Sequence, residues 1–390
     1  MPNTLNREGE RPREPKLLWN AQEIRARVDA RPPLQRVVQP ARNEALEWAV
    51  SLGARSAMRP AQFLLSTGHP GMFQSVVKMK PQPLNTVIKS LVLLVLLAPL
   101  AGCVTSHTTG REARAERARA LLGTRATYCN APRKADTRVD VDRLMAELVE
   151  LHANTYSFCI HNYAADWDDL KLILPRAREH GIRIWASLVP PSESPPRTKH
   201  YSEPFRLDYQ RWAVEFARLS LQETNLVAWS IDDFTHNLKE PYTPDYVRRM
   251  LDASRRINPK LAFVPCCYFS GIIKPGFVTN YCTLIDGILF PYRHESDQAN
   301  LKDPSLVEPE LKQIKALAGP ALPVVLDIYA TAHSRLGATT PEYVEQAMVA
   351  GKRAADGVMI YCHQDPQKNP EKYQIVKRQF AQWAGEGAPR

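Results

Sequence analysis

Two adjacent carboxylates, Asp232 and Asp233, close the apolar run Leu226-Val227-Ala228-Trp229-Ser230-Ile231. Along an extended strand, side chains alternate between faces, so Ala228, Ser230 and Asp232 share one side and Trp229 and Ile231 the other. The smaller set suits a crowded interior, with Asp232 at its upper end and Asp233 opening the next loop. Neighbouring carboxylates repel, so one of the two is expected to hold a proton near neutrality. A protonated carboxyl beside an ionised one is equipment for general acid catalysis. Asp327, in Val324-Val325-Leu326-Asp327, is a third carboxylate of interior type and shares a face with Val325 and Tyr329. The structural alternatives are a loop cap at Asp233, an Asp232–Arg293 pair, and an Asp327 satisfied by Arg or Tyr neighbours.

Other polar residues stand where apolar runs end. Asn130, His161, Asn162, Tyr268, Tyr292, Arg293, Tyr329, Tyr361 and His363 are candidate contacts to substrate hydroxyls. Ser192-Glu193 and His236 also lie just beyond such ends. Trp167, Trp185, Tyr201, Phe205 and Tyr242 fit either sugar stacking or a core. Histidines on several runs together with Asp327 raise a metal site, but the first run offers Tyr128-Cys129-Asn130 rather than His-x-His. No Cys/His spacing suggests zinc, so neither metal nor other cofactor is expected. The proline-stiffened segment from Pro190 to Pro204 reads as a wall or lid, since loops of that length in compact domains are usually functional.

The elements that must position these groups alternate regularly. Apolar, β-branched or aromatic runs lie at Thr127–Ala131, Asn154–Asn162, Ile182–Pro190, Leu226–Phe234, Leu261–Phe269, Gly287–Arg293, Pro323–Ala330 and Gly357–His363. Amphipathic stretches separate them: Val141–His152, Asp166–His180 stopping at Gly181, Leu207–Glu223, and segments opened by Thr243-Pro244-Asp245, Thr340-Pro341-Glu342 and Pro370. The fifth, around 275–283, is poorly marked. Eight strand–helix units predict the α/β class and a single (β/α)8 TIM barrel, for which about 250 residues is typical. An open doubly wound sheet is the other candidate, but no Gly-rich phosphate loop follows the first run. In a barrel the chemistry gathers at the C-terminal strand ends, where the fourth and seventh strands face each other across the mouth.

Upstream lies an address. Lys80 and Lys89 precede the apolar run Leu91–Leu100, which ends in Leu100-Ala101-Gly102-Cys103. Basic residues, about ten apolar residues and a small-residue cut site follow the plan of an export signal. The ending resembles the lipobox of bacterial lipoproteins, in which the cysteine is lipidated and becomes the mature N-terminus. This resemblance implies export, a membrane anchor on Cys103, and a place in the bacterial cell envelope at the outer membrane or cell surface. Residues 79–103 are then the signal, 104–120 a polar tether, 121–386 the barrel, and 1–78 a non-native or disordered extension. The alternative, a spanning segment at 91–102, falls short of the ~20 residues required. Residues 1–103 hold 14 of the 51 basic and 7 of the 41 acidic residues, leaving 37 against 34, a net of +3. The basic balance therefore sits mainly in the signal and extension and does not point to nucleic acid. Cys129, Cys159, Cys266, Cys267, Cys282 and Cys362 form no CxxC pair and read as buried thiols.

Over about 121–385 the chain resembles the barrel glycoside hydrolases of bacterial envelopes, on Gly181-Ile182-Arg183-Ile184-Trp185-Ala186-Ser187-Leu188 and Trp229-Ser230-Ile231-Asp232-Asp233-Phe234. In families with an adjacent acidic pair after the fourth strand, the first carboxylate stabilises and the second protonates the leaving oxygen. The resemblance thus implies Asp232 as stabiliser, Asp233 as acid and a carbohydrate substrate. The Asn-Glu pair of the largest barrel clan is missing, and the seventh strand carries Asp327 in place of Glu. The expected function is an envelope-anchored glycoside hydrolase acting on poly- or oligosaccharide. The alternatives are a non-catalytic glycan-binding lipoprotein on the same barrel and a metal-dependent hydrolase.

Overall fold

The computed structural model describes residues 110–386. Cys103, the signal at 79–103 and the extension at 1–78 lie outside them. Among the described residues no helix is long and apolar enough to cross a membrane.

Strands and helices alternate in chain order: β1 Thr124–Tyr128, α1 Val141–Glu150, β2 Thr155–Ile160, α2 Asp166–Glu179, β3 Arg183–Leu188, α3 Tyr209–Gln222, β4 Leu226–Ile231 and α4 Pro244–Ile257. Then come β5 Ala262–Phe263, β6 Ile288–Pro291, α5 Val307–Ala318, β7 Val324–Tyr329, α6 Pro341–Ala354, β8 Gly357–Tyr361 and α7 Pro370–Gly385. Local chemistry explains several boundaries. Thr243 and Thr340 cap α4 and α6 by accepting the Tyr246 and Tyr343 N–H groups, and a proline follows each. Gly181, at φ +67, lets the chain leave α2 in a left-handed conformation.

All pairings among these eight strands are parallel, in the order β5-β4-β3-β2-β1-β8-β7-β6. The sheet curls until its edges meet. Cys266, just past β5, bridges Leu289 of β6; the Cys267 N–H donates to Leu289 O (2.8 Å) and the Leu289 N–H to Pro265 O (3.1 Å). β5 is only two residues long, against the nine-residue run in the sequence; backbone bonds to β4 continue past it, from the Val264 N–H to Trp229 O (2.9 Å) and from the Cys266 N–H to Ile231 O (3.1 Å). β1 starts three residues before the predicted Thr127. Its register with β8 is close: a Cβ on Gly357 would lie 2.7 Å from Thr124 Cβ.

Two apolar layers follow from strand alternation. Inside the curl lie Ala126, Tyr128, Trp185, Ala228, Ala262, Val264, Val325 and Met359. Between sheet and helices lie Tyr156, Phe216, Trp229, Ile231, Phe263 and Leu326 among others. Trp229 thus faces the helices and Ala228 the interior, as the alternation requires. Trp185 is fully buried inside the curl, and Trp167 packs edge-on against Phe205, Trp212 and Phe216. Both serve the core.

Residues 110–119, assigned to the tether by their composition, form a helix docked on the domain. Arg114 donates to the carbonyls of Cys282 and Thr283. Arg117, 5% exposed, pairs with Asp286 (2.8 Å), which also takes Arg255 and the Phe263 N–H. One buried carboxylate therefore joins this helix, α4 and β5. Removing it strands two guanidinium groups, and breaking a buried pair costs about 3–5 kcal/mol. Asp286→Ala is expected to lower unfolding free energy by about that amount in urea titration. A loss below about 1 kcal/mol would mean that the network does not hold these elements together.

Candidate active site

The C-terminal strand ends open into two adjoining cavities. The first, about 330 Å³, is lined by Tyr128, Asp232, Asp233, Tyr268, Arg293, Asp327, Tyr329 and Tyr361, with Glu193, His236, His333 and Arg335 at its edges. The second, about 580 Å³, is lined by Asn130, His161, Asn162, Tyr163, His200 and the thiols Cys129, Cys159 and Cys362. Glu193, Asp232 and Tyr361 line both, so they form the divide between them.

At the divide, β4 delivers Asp232 and the chain turns sharply. Asp233 sits at φ +45, a left-handed conformation that non-glycine residues seldom adopt, and strain of this kind clusters at functional sites. Each oxygen of the pair has a partner. Asp232 Oδ1 accepts the Asp233 N–H (2.9 Å) and Oδ2 accepts the Tyr128 hydroxyl (3.1 Å). Asp233 Oδ1 accepts the Tyr268 hydroxyl (2.6 Å), and Oδ2 lies 3.4 Å from His236 Nδ1. The His236 ring stacks on Tyr268 at 4.5 Å, and the Arg293 guanidinium covers the same tyrosine at 3.8 Å. Arg293 is itself paired with Glu295, which also accepts the Ser270 N–H (2.8 Å).

These surroundings separate the ionisation of the carboxyl groups. Burial, and then the Asp233 charge, pushes Asp232 up to about 6. Burial alone would raise Asp233 as well. Hydrogen bonds from His236 and Tyr268, with the charges of His236 and Arg293, outweigh it and hold Asp233 below the usual carboxylate range. Glu193 is pushed up to about 8 by burial and by both aspartates. Asp327, 2% exposed and with Oδ1 unpartnered, is raised well above its usual value by burial and Asp232. Near neutrality the mouth therefore holds Asp233 firmly ionised and Asp232 largely so, beside Glu193, which keeps its proton.

The second cavity is organised by Asp166. Its buried Oδ2 accepts the N–H groups of His161, Asn162 and Tyr163 at 3.0–3.1 Å, and its Oδ1 takes Arg133 (2.6 Å). That carboxylate fixes the loop after β2 and so places His161 and Asn162. Burial, and secondarily His200, lowers His161 to about 4, so its ring is neutral; its buried Nε2 has no partner among the described residues.

Most of the residues picked out from the sequence come together here. Two do not. His363 lies beneath the mouth, with Nδ1 on Thr127 Oγ1 and Nε2 on Glu147 Oε2, both at 2.9 Å. Both ring nitrogens are engaged and buried, so it joins β1 and α1 rather than substrate. Tyr292 is fully buried, donating to Asp303 O (2.8 Å) beside His294; it fixes the loop after β6. Conversely, Glu193 belongs to the site although its place in a proline-rich loop gave it no periodic signal. A two-strand hairpin after β7, Ala332–His333 with Gly337–Ala338, adds His333 and Arg335. Among the described residues no group of three or more His, Cys, Asp or Glu is arranged to hold a metal. The six cysteines there are unpaired.

No known protein family matches the sequence. No curated protein matches it either. Solved structures similar to the chain include Bacteroides uniformis beta-glucuronidase 2 bound covalently to cyclophellitol-6-carboxylate aziridine, at 12% identity and TM-score 0.42, covering 61% of this chain and 30% of that one. The chain thus spans under a third of that protein's length. Active domain 2 of the thermostable Pyrococcus furiosus chitinase, in complex with chito-oligosaccharides, is similar at 11% identity and TM-score 0.45, covering 68% and 97%. A tamarind chitinase-like lectin is similar at 11% identity and TM-score 0.41, covering 66% and 98%.

The raised carboxyls have a consequence for stability. Folded Glu193 and Asp232 keep protons that the unfolded chain releases near pH 4. The fold binds more protons than the unfolded chain across that window, so its stability falls as pH rises through it. Thermal midpoints are expected to decline from about pH 5 to 8, and Glu193→Gln is expected to flatten the decline. An unchanged slope in E193Q would show that Glu193 ionises normally in the fold.

Proposed function

We propose that the chain is a glycoside hydrolase on a closed (β/α)8 barrel, cleaving poly- or oligosaccharide by carboxylate chemistry at the barrel mouth. One observation carries this reading: Asp233 at the end of β4 and Glu193 on the loop after β3 are driven to opposite ionisation. Asp233 is bonded by Tyr268 and His236 and kept charged, while Glu193 beside it keeps its proton. Glycosidic cleavage needs that contrast, because a carboxylic acid must protonate the leaving oxygen while a carboxylate faces the positive charge growing at the anomeric carbon.

In this reading Asp233 is the carboxylate that faces the anomeric carbon. The resemblance seen in the sequence gives Asp233 the opposite duty, proton donation. The hydrogen bonds from Tyr268 and His236 favour the charged form and so argue against it. Asp232 holds the turn through its bond to the Asp233 N–H and adds negative potential from below. Tyr268, Arg293, Tyr329 and Tyr361 on one side, and Asn130, His161 and Asn162 on the other, supply polar contacts for hydroxyls and ring faces for sugars.

We also propose that the protein is exported and anchored in the bacterial cell envelope by lipid on Cys103, as Leu100-Ala101-Gly102-Cys103 suggests. Mass spectrometry of the native N-terminus is expected to find a lipidated Cys103; an intact Met1 or an unmodified Cys103 would reject the anchor. For the chemistry, Asp233→Asn is expected to cut hydrolysis across an aryl-glycoside and oligosaccharide panel by at least about 10²-fold, with retention in carbohydrate affinity gels preserved. Binding without hydrolysis by the wild type would favour a glycan-binding protein. Wild-type rates in D233N would remove Asp233 from the mechanism.

A further inference from the structure

Glu193 stands apart from the other three carboxyls of the mouth. Both oxygens of Asp232 have hydrogen-bond donors. Those of Asp233 are taken by Tyr268 and His236. Asp327 lines the first cavity only and is 2% exposed. The Glu193 carboxyl is half-buried and carries no hydrogen bond or ion pair among the described residues; the groups that act on it, Asp232 and Asp233, do so only through their charge. It is also one of three residues that line both cavities.

Its backbone is held firmly. Pro191–Glu193 form a single 3-10 turn after β3. Ser194 Oγ donates to Pro190 O (2.7 Å), and the Thr198 hydroxyl donates to Glu193 O. The Asn237 amide then ties this turn to the catalytic loop, donating to Ser192 Oγ (3.0 Å) and to Asp233 O (2.9 Å). A single side chain thus links the turn that carries Glu193 to the loop that carries Asp233.

We propose that Glu193 is the proton donor to the leaving-group oxygen, and that the bond it serves lies within a saccharide chain seated in both cavities. This assignment rests on the hydrolase reading above. The glycosidic C–O bond breaks with its electron pair passing to oxygen, which takes the Glu193 proton. Water adds hydroxide to the anomeric carbon, and its remaining proton goes to a site carboxylate. Asp233 stabilises the positive charge at the carbon throughout.

The charges around Glu193 fit the role. On the first-cavity side, Asp232 and Asp233 oppose its ionisation, and Asp327 adds no cation. Arg293 is committed to Glu295, His236 to Asp233, and His333 Nδ1 accepts the N–H groups of Arg335 and Leu336, which leaves Arg335 as the exposed cation at that rim among the described residues. On the second-cavity side, His161 is neutral and Arg133 is paired with Asp166 and Asp169, with His200 at the edge. Burial beside two aspartates therefore keeps Glu193 protonated up to about 8. A catalytic acid works best when its pKa lies near the operating pH.

The test uses the purified mature protein and matched 2,4-dinitrophenyl and phenyl glycosides of a sugar that the wild type cleaves. Dinitrophenolate leaves without protonation, whereas phenolate needs it. E193Q is expected to lose at least about 10²-fold in kcat on the phenyl glycoside and to stay within about tenfold on the dinitrophenyl one. The alkaline limb of the wild-type kcat/KM profile is expected to vanish in E193Q, and Glu193→Asp to recover part of the phenyl activity. Thermal melts of both variants check that each is folded. Equal losses on both glycosides in a folded E193Q, or an alkaline limb that persists, would overturn the assignment to Glu193 and leave the hydrolase reading standing. A wild type that cleaves neither glycoside of any sugar would overturn both.

Discussion

Burial of several carboxyl groups in one small mouth, with their mutual repulsion added, organises this protein. Asp232, Asp233, Glu193 and Asp327 approach one another at the ends of β3, β4 and β7, and the nearby cations are largely committed elsewhere: Arg293 to Glu295 and Arg133 to Asp166 and Asp169. Four charges cannot coexist there, because desolvation and repulsion both favour the neutral acid. The fold spends its hydrogen bonds on making one of them the exception. Tyr268 and His236, braced by the Arg293 guanidinium on the tyrosine face, keep Asp233 charged. Burial, with repulsion from the charged aspartates added, keeps the proton on Glu193 to about 8.

The scaffold supports that arrangement at several levels. Strand alternation sends Trp229 and Ile231 outward and leaves small residues inside, so the curled sheet can close without pushing Asp232 away. The left-handed turn at Asp233 redirects the chain at once, and Asn237 fixes that turn to the Glu193 loop. Asp166 does for the second cavity what Tyr268 does for the first, gathering three backbone N–H groups to hold His161 and Asn162 in place. The cleft is therefore assembled mainly from side-chain to backbone bonds at loop starts, on a rigid sheet.

Much of this was legible in the amino-acid sequence. Eight strand runs and the capped helices between them carry strong periodic or turn signals, and their positions hold to within a few residues except at β5, which spans two residues of its nine-residue run. The Asp232-Asp233 pair stood out because two carboxylates at the end of an apolar strand have no packing purpose. What stayed hidden depends on three-dimensional partners. Nothing in the sequence tells whether a histidine at a strand end faces the mouth or, like His363, bonds a threonine and a glutamate beneath it. Tyr292 looks the same on paper as Tyr268. Glu193 lies among prolines and serines, where no period marks one side chain over another, and its significance appears only when the loop folds over β4. The helix at 110–119 reads as a polar tether because its contacts are made by arginines, which composition counts as solvent-facing.

The central claim is the contrast in protonation between Asp233 and Glu193, and it can be measured without a substrate. Carboxyl-carbon NMR titration of the purified domain, with assignment by D233N and E193Q, reads each group directly. The account predicts that Asp233 titrates below the usual carboxylate range while Glu193 holds its proton to about 8. If both groups titrate together near about 4, as unperturbed carboxyls do, the repulsion described here is not operating and the account is wrong.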